Sequence, residues 1–112
     1  MSLYKIELTA DFKRDARRLI KKYRSIASEI NDLVESLETD PIQGEPLGKD
    51  CYKIRMSIAS KNKGKSGGSR VITCVKIIDE TVILLSIYDK SEQGDIGDKA
   101  LNQLLKNTDL FL

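Results

Sequence analysis

The sequence predicts an α+β domain: a small, antiparallel-dominated sheet of about four strands, with a helical hairpin before it and a single helix after it. Three observations support this fold class. Apolar residues recur at helical spacing in two early segments and one late segment. They alternate with polar residues, or form short β-branched runs, in four other segments. A length of 112 residues suits one domain, so residues 1–112 are expected to form a single unit in the order β-α-α-β-β-β-α.

The first half of the chain is predicted to contain one strand and two helices. Residues 3–8 alternate like a short strand, and Thr9 has the side chain of an N-cap for the helix that follows. The apolar stripe of that helix consists of Phe12, Ala16, Leu19, Ile20 and Tyr23. A second stripe consists of Ile26, Ile30, Leu33, Val34 and Leu37. Two such stripes with a short break between them predict an antiparallel helical hairpin, which ends at Asp40 and Pro41.

The second half of the chain is predicted to supply three strands and the last helix. Turn-forming residues fill residues 43–50, which we expect to be a connector. Strands are expected at residues 52–58, 70–78 and 81–88, where apolar and β-branched residues are concentrated. Apolar residues return to helical spacing over residues 92–106, and this segment is expected to be the closing helix.

Composition excludes several kinds of chemistry. The chain has no histidine, which removes Ser-His and Cys-His nucleophile pairs and nearly all zinc catalysis, so neither a metal site nor a cofactor is expected. Cys51 and Cys74 fall in different predicted strands without CxxC spacing, and we expect buried reduced thiols rather than a disulfide or a metal pair. No apolar run approaches the ~20 residues of a membrane span. Residues 1–8 lack the pattern of a secretory signal, so we expect a cytoplasmic protein without membrane contact.

The most informative segment is the cationic stretch at residues 49–70. It carries seven cations against one acid, Asp50, and so has six net positive charges in a chain whose overall charge is +2. The cations are Lys49, Lys53, Arg55, Lys61, Lys63, Lys65 and Arg70. A glycine-rich loop lies within this stretch and can follow a nucleic-acid backbone closely. We predict that Lys61, Lys63 and Lys65 contact RNA phosphates, with a merely solvated loop as the alternative.

One part of this stretch imitates a nucleotide-binding P-loop. Gly64, Lys65 and Ser66 have the order of that motif, but Ala59 stands where its other glycine is required. A P-loop also needs a helix after the serine, whereas a β-branched strand follows here. We therefore expect no nucleotide site.

Three further segments are residues 51–55 (CYKIR), 64–71 (GKSGGSRV) and 87–92 (IYDKSE). In this order they resemble the RelE/ParE toxin superfamily, and more narrowly its RelE/HigB-like branch. The resemblance implies the toxin of a type II toxin–antitoxin system, with a cognate antitoxin protein as partner. RelE-like members cleave mRNA in the ribosome, so it also implies a metal-independent endoribonuclease with mRNA and the ribosome as partners. ParE-like members share the fold and inhibit DNA gyrase instead.

The resemblance also implies a set of catalytic residues. Lys53, Arg55 and Arg70 match basic residues that RelE toxins use in RNA cleavage. A further arginine of the family falls on Ser91, and its catalytic tyrosine falls near residues 96–97, where none stands. The remaining candidates for the missing proton donor are Tyr88 and Lys90.

The residues themselves allow a mechanism for Lys53, although Lys53 and Arg55 could equally be ordinary solvent-facing strand residues. Crowding by Arg55 and Arg70 is expected to lower the pKa of Lys53, so that it acts as the base or stabilises charge. Two alternatives stay open: a gyrase inhibitor that is not an enzyme, and a decayed toxin that only binds its partner. We expect the antitoxin to cover the face formed by Lys53, Arg55 and Arg70, or to displace the last helix.

Overall fold

A computed structural model describes residues 3–61 and 67–108 of the chain. In these ranges three helices pack on a five-stranded sheet with the strand order β1-β5-β4-β3-β2. The strands are β1 (Lys5–Leu8), β2 (Glu45–Gly48), β3 (Cys51–Met56), β4 (Ser69–Lys76) and β5 (Thr81–Asp89). The helices are α1 (Ala10–Lys22), α2 (Ile26–Thr39) and α3 (Asp98–Lys106), with a short 3₁₀ turn at Ala59–Lys61. None of the helices in the two described ranges has the length and apolar character that crossing a bilayer requires.

The predicted α+β class and the predominance of antiparallel pairing are confirmed. β2, β3, β4 and β5 pair antiparallel in succession, while β1 runs parallel to β5 at the far edge. The N-cap prediction is also confirmed, because the Thr9 side chain accepts a hydrogen bond from the Phe12 N–H at 3.0 Å. The Thr9 hydroxyl also donates to the Leu84 carbonyl at 3.1 Å, which fixes the start of α1 against β5.

The sheet has one strand more than predicted, because part of the expected connector pairs with its neighbour. β2 lies at the sheet edge, where Glu45 is the register partner of Lys53 and Pro46 that of Tyr52. A proline is tolerated in an edge strand because the outer side of the strand needs no N–H donor. Gly44 has a positive φ of 92°, and a Cβ there would lie 2.3 Å from the Lys53 carbonyl oxygen. The close approach of β2 to β3 therefore requires glycine.

The two faces of the sheet bury two separate cores. The larger core lies under the helical hairpin and includes Phe12, Leu19, Ile26, Leu37, Val71 and Leu84. The smaller core lies on the opposite face and includes Cys51, Ile72, Cys74, Leu85, Leu101 and Leu105, the last two from α3. Cys51 and Cys74 are register partners in β3 and β4, and both are free, buried thiols as predicted.

The closing helix is shorter than predicted, since α3 begins at Asp98 rather than at residue 92. The N–H groups of Glu92 and Gln93 both donate to the Asp89 carbonyl, which makes a turn directly after β5. Gly94 and Gly97 follow, and glycine disfavours a helix because of its conformational entropy. Residues 92–97 therefore form a connecting segment between β5 and α3, and this segment reaches the candidate site.

Candidate active site

Strand register brings the predicted site residues onto one face of the sheet. Arg55 of β3 is the register partner of Arg70 in β4, and Arg70 is in turn the partner of Tyr88 in β5. Lys53 lies two residues before Arg55 and therefore shares its face, as Lys90 does with Tyr88. The face is that of the smaller core, beside the start of α3.

The basic side chains line one open cavity of about 350 Å³. Its lining residues are Glu45, Lys53, Arg55, Arg70, Lys90 and Asp95. Four of the five predicted catalytic residues are in this set, and Tyr88 lies behind them in the smaller core. Basic side chains from three neighbouring segments of chain thus converge on a space large enough for part of a nucleotide.

Lys53 has two carboxylate partners that the sequence interpretation did not include. Its Nζ lies 3.0 Å from Asp95 Oδ1 and 3.2 Å from Glu45 Oε2, and its side chain is only 11% exposed. The hydrogen bond to Asp95 raises the pKa of Lys53, and the hydrogen bond to Glu45 raises it further. Together these two contacts outweigh burial, which acts to lower the pKa. The expected lowering of this pKa is wrong, because the near carboxylates outweigh the arginines on the same face.

Asp95 holds two of the cations together. Its Oδ1 accepts hydrogen bonds from Lys53 at 3.0 Å and from Lys90 at 3.4 Å. Both contacts lower the pKa of Asp95, and the contact with Lys53 has the larger effect. Sequence reasoning missed Asp95 because it fell inside the predicted helix. The flanking Gly94 and Gly97 were the signal that this part of the chain is not helical.

Arg70 and Tyr88 are the two deeply buried members of the site. Arg70 is 4% exposed, and its Nη1 donates to the Ser69 carbonyl at 3.1 Å. The Tyr88 hydroxyl is buried and has no hydrogen-bond partner among residues 3–61 and 67–108. Burial raises the pKa of Tyr88, although Lys53 and Arg70 act in the opposite direction. The phenol therefore keeps its proton at neutral pH.

Of the three lysines predicted to bind RNA, the structure describes only Lys61, since Lys63 and Lys65 lie outside the described residues. The Lys61 ammonium is 2.7 Å from Asp89 Oδ1 and 2.8 Å from Ser91 Oγ, and its side chain is 11% exposed. Asp89 itself has no exposed side-chain surface. Lys61 thus joins the base of the glycine-rich loop to the end of β5, which is a structural contact rather than an open one.

The Asp89 carboxylate is held in its charged form by this contact. Burial acts to raise the pKa of Asp89, but the hydrogen bonds from Lys61 and from the N–H and hydroxyl of Ser91 lower it to about 2. Ser91, where the resemblance predicts an arginine, donates its N–H and its hydroxyl to this carboxylate. Within the part of the chain that the structure describes, no group of three His, Cys, Asp or Glu side chains is placed to hold a metal ion.

The chain is similar to known proteins over nearly its whole length. Residues 4–112 match the family model described as the RelE toxin of the RelE/RelB toxin–antitoxin system. The chain belongs to the RelE toxin family. A match over nearly the whole chain confirms the resemblance inferred from the three short segments.

Solved structures of RelE toxins have the same fold. A mutant of the E. coli toxin RelE in the free state has a TM-score of 0.63 and 18% identity, and the match covers 95% of this chain and 97% of that one. The toxin–antitoxin complex RelBE2 from Mycobacterium tuberculosis gives a TM-score of 0.61 at 20% identity, with 85% and 97% covered. The intact E. coli RelBE toxin–antitoxin complex gives 0.60 at 18% identity, with 77% and 95% covered.

Proposed function

We propose that this RelE-family protein is an endoribonuclease that cleaves mRNA on the ribosome in the cytoplasm and so arrests translation. The observation that supports the proposal is the convergence of Lys53, Arg55, Arg70 and Lys90 on one cavity. Single-stranded RNA presents a phosphate at every nucleotide, and clustered cations of this kind attract it. Positive charge fixed in place before the reaction also stabilises the negative charge that develops during cleavage.

The proposed reaction uses the RNA as its own nucleophile. The ribose 2′-oxygen attacks the adjacent phosphorus, and the bond from phosphorus to the 5′-oxygen of the next nucleotide breaks. A base takes the 2′-hydroxyl proton, and an acid gives a proton to the departing 5′-oxygen. The products are a 2′,3′-cyclic phosphate and a free 5′-hydroxyl, and no metal or cofactor takes part.

The geometry favours particular roles for the residues. Lys53, Arg55 and Arg70 hold the phosphate and stabilise its developing charge. Because its raised pKa keeps Lys53 protonated, the base is a carboxylate, and Glu45 is fixed on a strand beside Lys53. Lys90 faces the cavity and is better placed than the buried Tyr88 to give a proton to the 5′-oxygen.

We also propose a cognate antitoxin as the protein partner. Membership of the RelE family supports this, and two of the similar solved structures are complexes of a toxin with its antitoxin. An antitoxin with acidic side chains would neutralise the cavity by the same attraction that serves RNA. A complex that leaves the Lys53, Arg55 and Arg70 face fully open would contradict this part of the proposal.

Mapping of RNA 5′ ends after brief induction tests the proposed activity. Codon-phased cuts within translated regions are expected for the wild type, and translation of a defined message by purified ribosomes tests whether cleavage requires the ribosome. Supercoiling defects without cuts would indicate a gyrase inhibitor, and growth arrest with neither would indicate a binding module.

Arg55→Ala is the most informative site variant, because Arg55 is exposed and its loss leaves the cores intact. We expect the Arg55→Ala protein to melt like the wild type and to cleave message at least tenfold more slowly. Arg70→Ala is expected to lose cleavage as well, but Arg70 is buried, so its melting temperature must be measured alongside. Wild-type cleavage rates in both variants would remove the phosphate-binding assignment.

A further inference from the structure

The Asp95 carboxylate lies where the cavity would hold an anion. A single oxygen, Oδ1, accepts hydrogen bonds from Lys53 Nζ and Lys90 Nζ, the two ammonium groups of the cavity lining. A phosphate oxygen and a carboxylate oxygen are equivalent acceptors for an ammonium group. Asp95 Oδ1 lies within ion-pair distance of both nitrogens, at 3.0 Å from Lys53 Nζ and 3.4 Å from Lys90 Nζ. Asp95 therefore marks a position at which two lysines bind one anionic oxygen.

The charges of the cavity show why an internal carboxylate stabilises it. Among the described residues, four cations and two carboxylates line the space, so that two net positive charges remain with both acids in place. Without Asp95, Lys53 and Lys90 would face each other and the two arginines, and Glu45 would be the single acid left among the described lining residues. Cations that line the same cavity repel one another, and an anion placed between two of them lowers the repulsion energy.

Asp95 is also the lining carboxylate that can move out of the cavity. Its side chain is 64% exposed, and it lies in the connecting segment at residues 92–97, outside the helices and strands. Glu45, in contrast, lies in β2 and is held in register with Lys53 itself. A turn of the Asp95 side chain toward solvent would free both ammonium groups without disturbing the sheet.

We propose that the Asp95 carboxylate occupies an RNA phosphate subsite in the free protein, and that the transcript binds by displacing it. The subsite consists of Lys53 and Lys90, and its ligand is a phosphodiester oxygen of single-stranded RNA. This inference rests on the proposed function for the identity of the ligand. Asp95 then weakens RNA binding by competition, so its removal strengthens binding.

The test compares two variants that each lose one negative charge. Asp95→Asn removes the competing charge at the subsite, whereas Asp32→Asn removes an exposed charge from α2, which packs on the opposite face of the sheet. The probes are inorganic phosphate and a single-stranded RNA trinucleotide whose 2′-hydroxyls are blocked as 2′-O-methyl groups, so that it cannot be cleaved. Binding is followed by calorimetry, and the Nζ signals of Lys53 and Lys90 by NMR.

The expected result is binding of both probes about two- to fivefold tighter by Asp95→Asn than by wild type, with Asp32→Asn like the wild type, because an exposed carboxylate competes only modestly. The proposal would be overturned if the two variants bound the probes equally or if Asp95→Asn bound them more weakly than the wild type. It would also be overturned if neither probe bound. Loss of RNA cleavage in Asp95→Asn without tighter binding would also overturn it, since Asp95 would then act in the reaction. If phosphate binds as expected but the trinucleotide binds to none of the proteins, the anion subsite stands and the RNA function fails.

Discussion

At the scale of single residues, two carboxylates set the charge environment of Lys53, since its Nζ lies 3.0 Å from Asp95 and 3.2 Å from Glu45. Alternation along β3 placed Lys53 and Arg55 on one face without knowledge of the fold. Whether Arg70 shared that face depended on register, which is set by pairing between strands. The charge environment of Lys53 depended on Glu45 and Asp95, which both lie in segments that were predicted wrongly, and Asp95 is also distant in sequence.

Replacement of Lys53 distinguishes a base from a stabiliser of charge. Because its carboxylate partners keep Lys53 protonated, we expect Lys53→Arg to retain cleavage within about tenfold of the wild type, since arginine also carries a fixed positive charge. Lys53→Met, which has a similar shape without charge, is expected to lose activity by about a hundredfold or more. Single-turnover cleavage of a defined message measures both. Equal inactivity of the two variants would show that the proton of Lys53 is transferred.

The Lys61–Asp89 ion pair gives a pH-dependent contribution to stability. The pKa of Asp89 falls from an ordinary value of 3.8 to about 2 on folding, so the stabilisation is fully present above about pH 4 and is lost as the pH falls toward 2. Asp89→Asn is expected to cost about 3 kcal/mol at pH 7, because it leaves the Lys61 ammonium without its counter-charge.

Urea unfolding between pH 2 and pH 7 measures this contribution, with Asp32→Asn as the exposed control. The difference in unfolding free energy between wild type and Asp89→Asn should shrink as the pH is lowered through that window. A difference that is constant with pH would mean that packing, rather than charge, explains the loss.

At the scale of elements, local pattern identified the helices and the long strands, while short elements escaped it. The apolar stripes of α1 and α2 are long enough to identify a helix by themselves. β2 has four residues, including Pro46 and Gly48, and its strand character comes entirely from pairing with β3. The first residues of the predicted last helix were wrong because the turn after β5 is set by hydrogen bonds to the Asp89 carbonyl.

The turn between β2 and β3 is strained, and the strain can be relieved by substitution. Gly48 and Cys51 are register partners, so Lys49 and Asp50 form a two-residue turn, with φ of 57° and 62°. Such turns favour glycine and asparagine because positive φ crowds other side chains. Asp50→Gly is expected to raise the unfolding free energy by about 0.5–1 kcal/mol. The Lys49 side chain is best kept, because its ammonium contacts Asn102 of α3.

Gly48→Ala, next to the same turn, is expected to have the opposite effect on stability to Asp50→Gly. Gly48 has a φ of 87°, and a Cβ there would meet no atom within 4 Å, so only backbone conformation opposes the change. We expect a loss of about 1 kcal/mol in urea unfolding. A gain in both variants, or a loss in both, would show that this turn rearranges rather than stays strained.

At the scale of the whole molecule, the net charge is small while several cations are concentrated at one cavity. The overall charge of +2 gives little general attraction for nucleic acid, so binding should depend on the few cations at the cavity. If both internucleotide phosphates of a trinucleotide are neutralised, the logarithm of its binding constant should fall against the logarithm of salt concentration with a slope of about −1.4. Arg55→Ala should make that slope shallower by about 0.7. Binding of the uncleavable trinucleotide over a salt series measures it, and a slope near zero would contradict cavity-centred binding.

The parallel contact between the first strand and the last has a consequence for synthesis of the protein. β1 pairs with β5 from Lys5↔Thr81 to Leu8↔Leu84. The first strand to be synthesised therefore cannot join the sheet until the last strand has been made. A nascent polypeptide cannot close this contact until β5 has left the exit tunnel, and such long-range pairing is slow to form. The sheet is therefore completed only after nearly the entire chain has been made, and the activity proposed above would first appear at that late stage of synthesis.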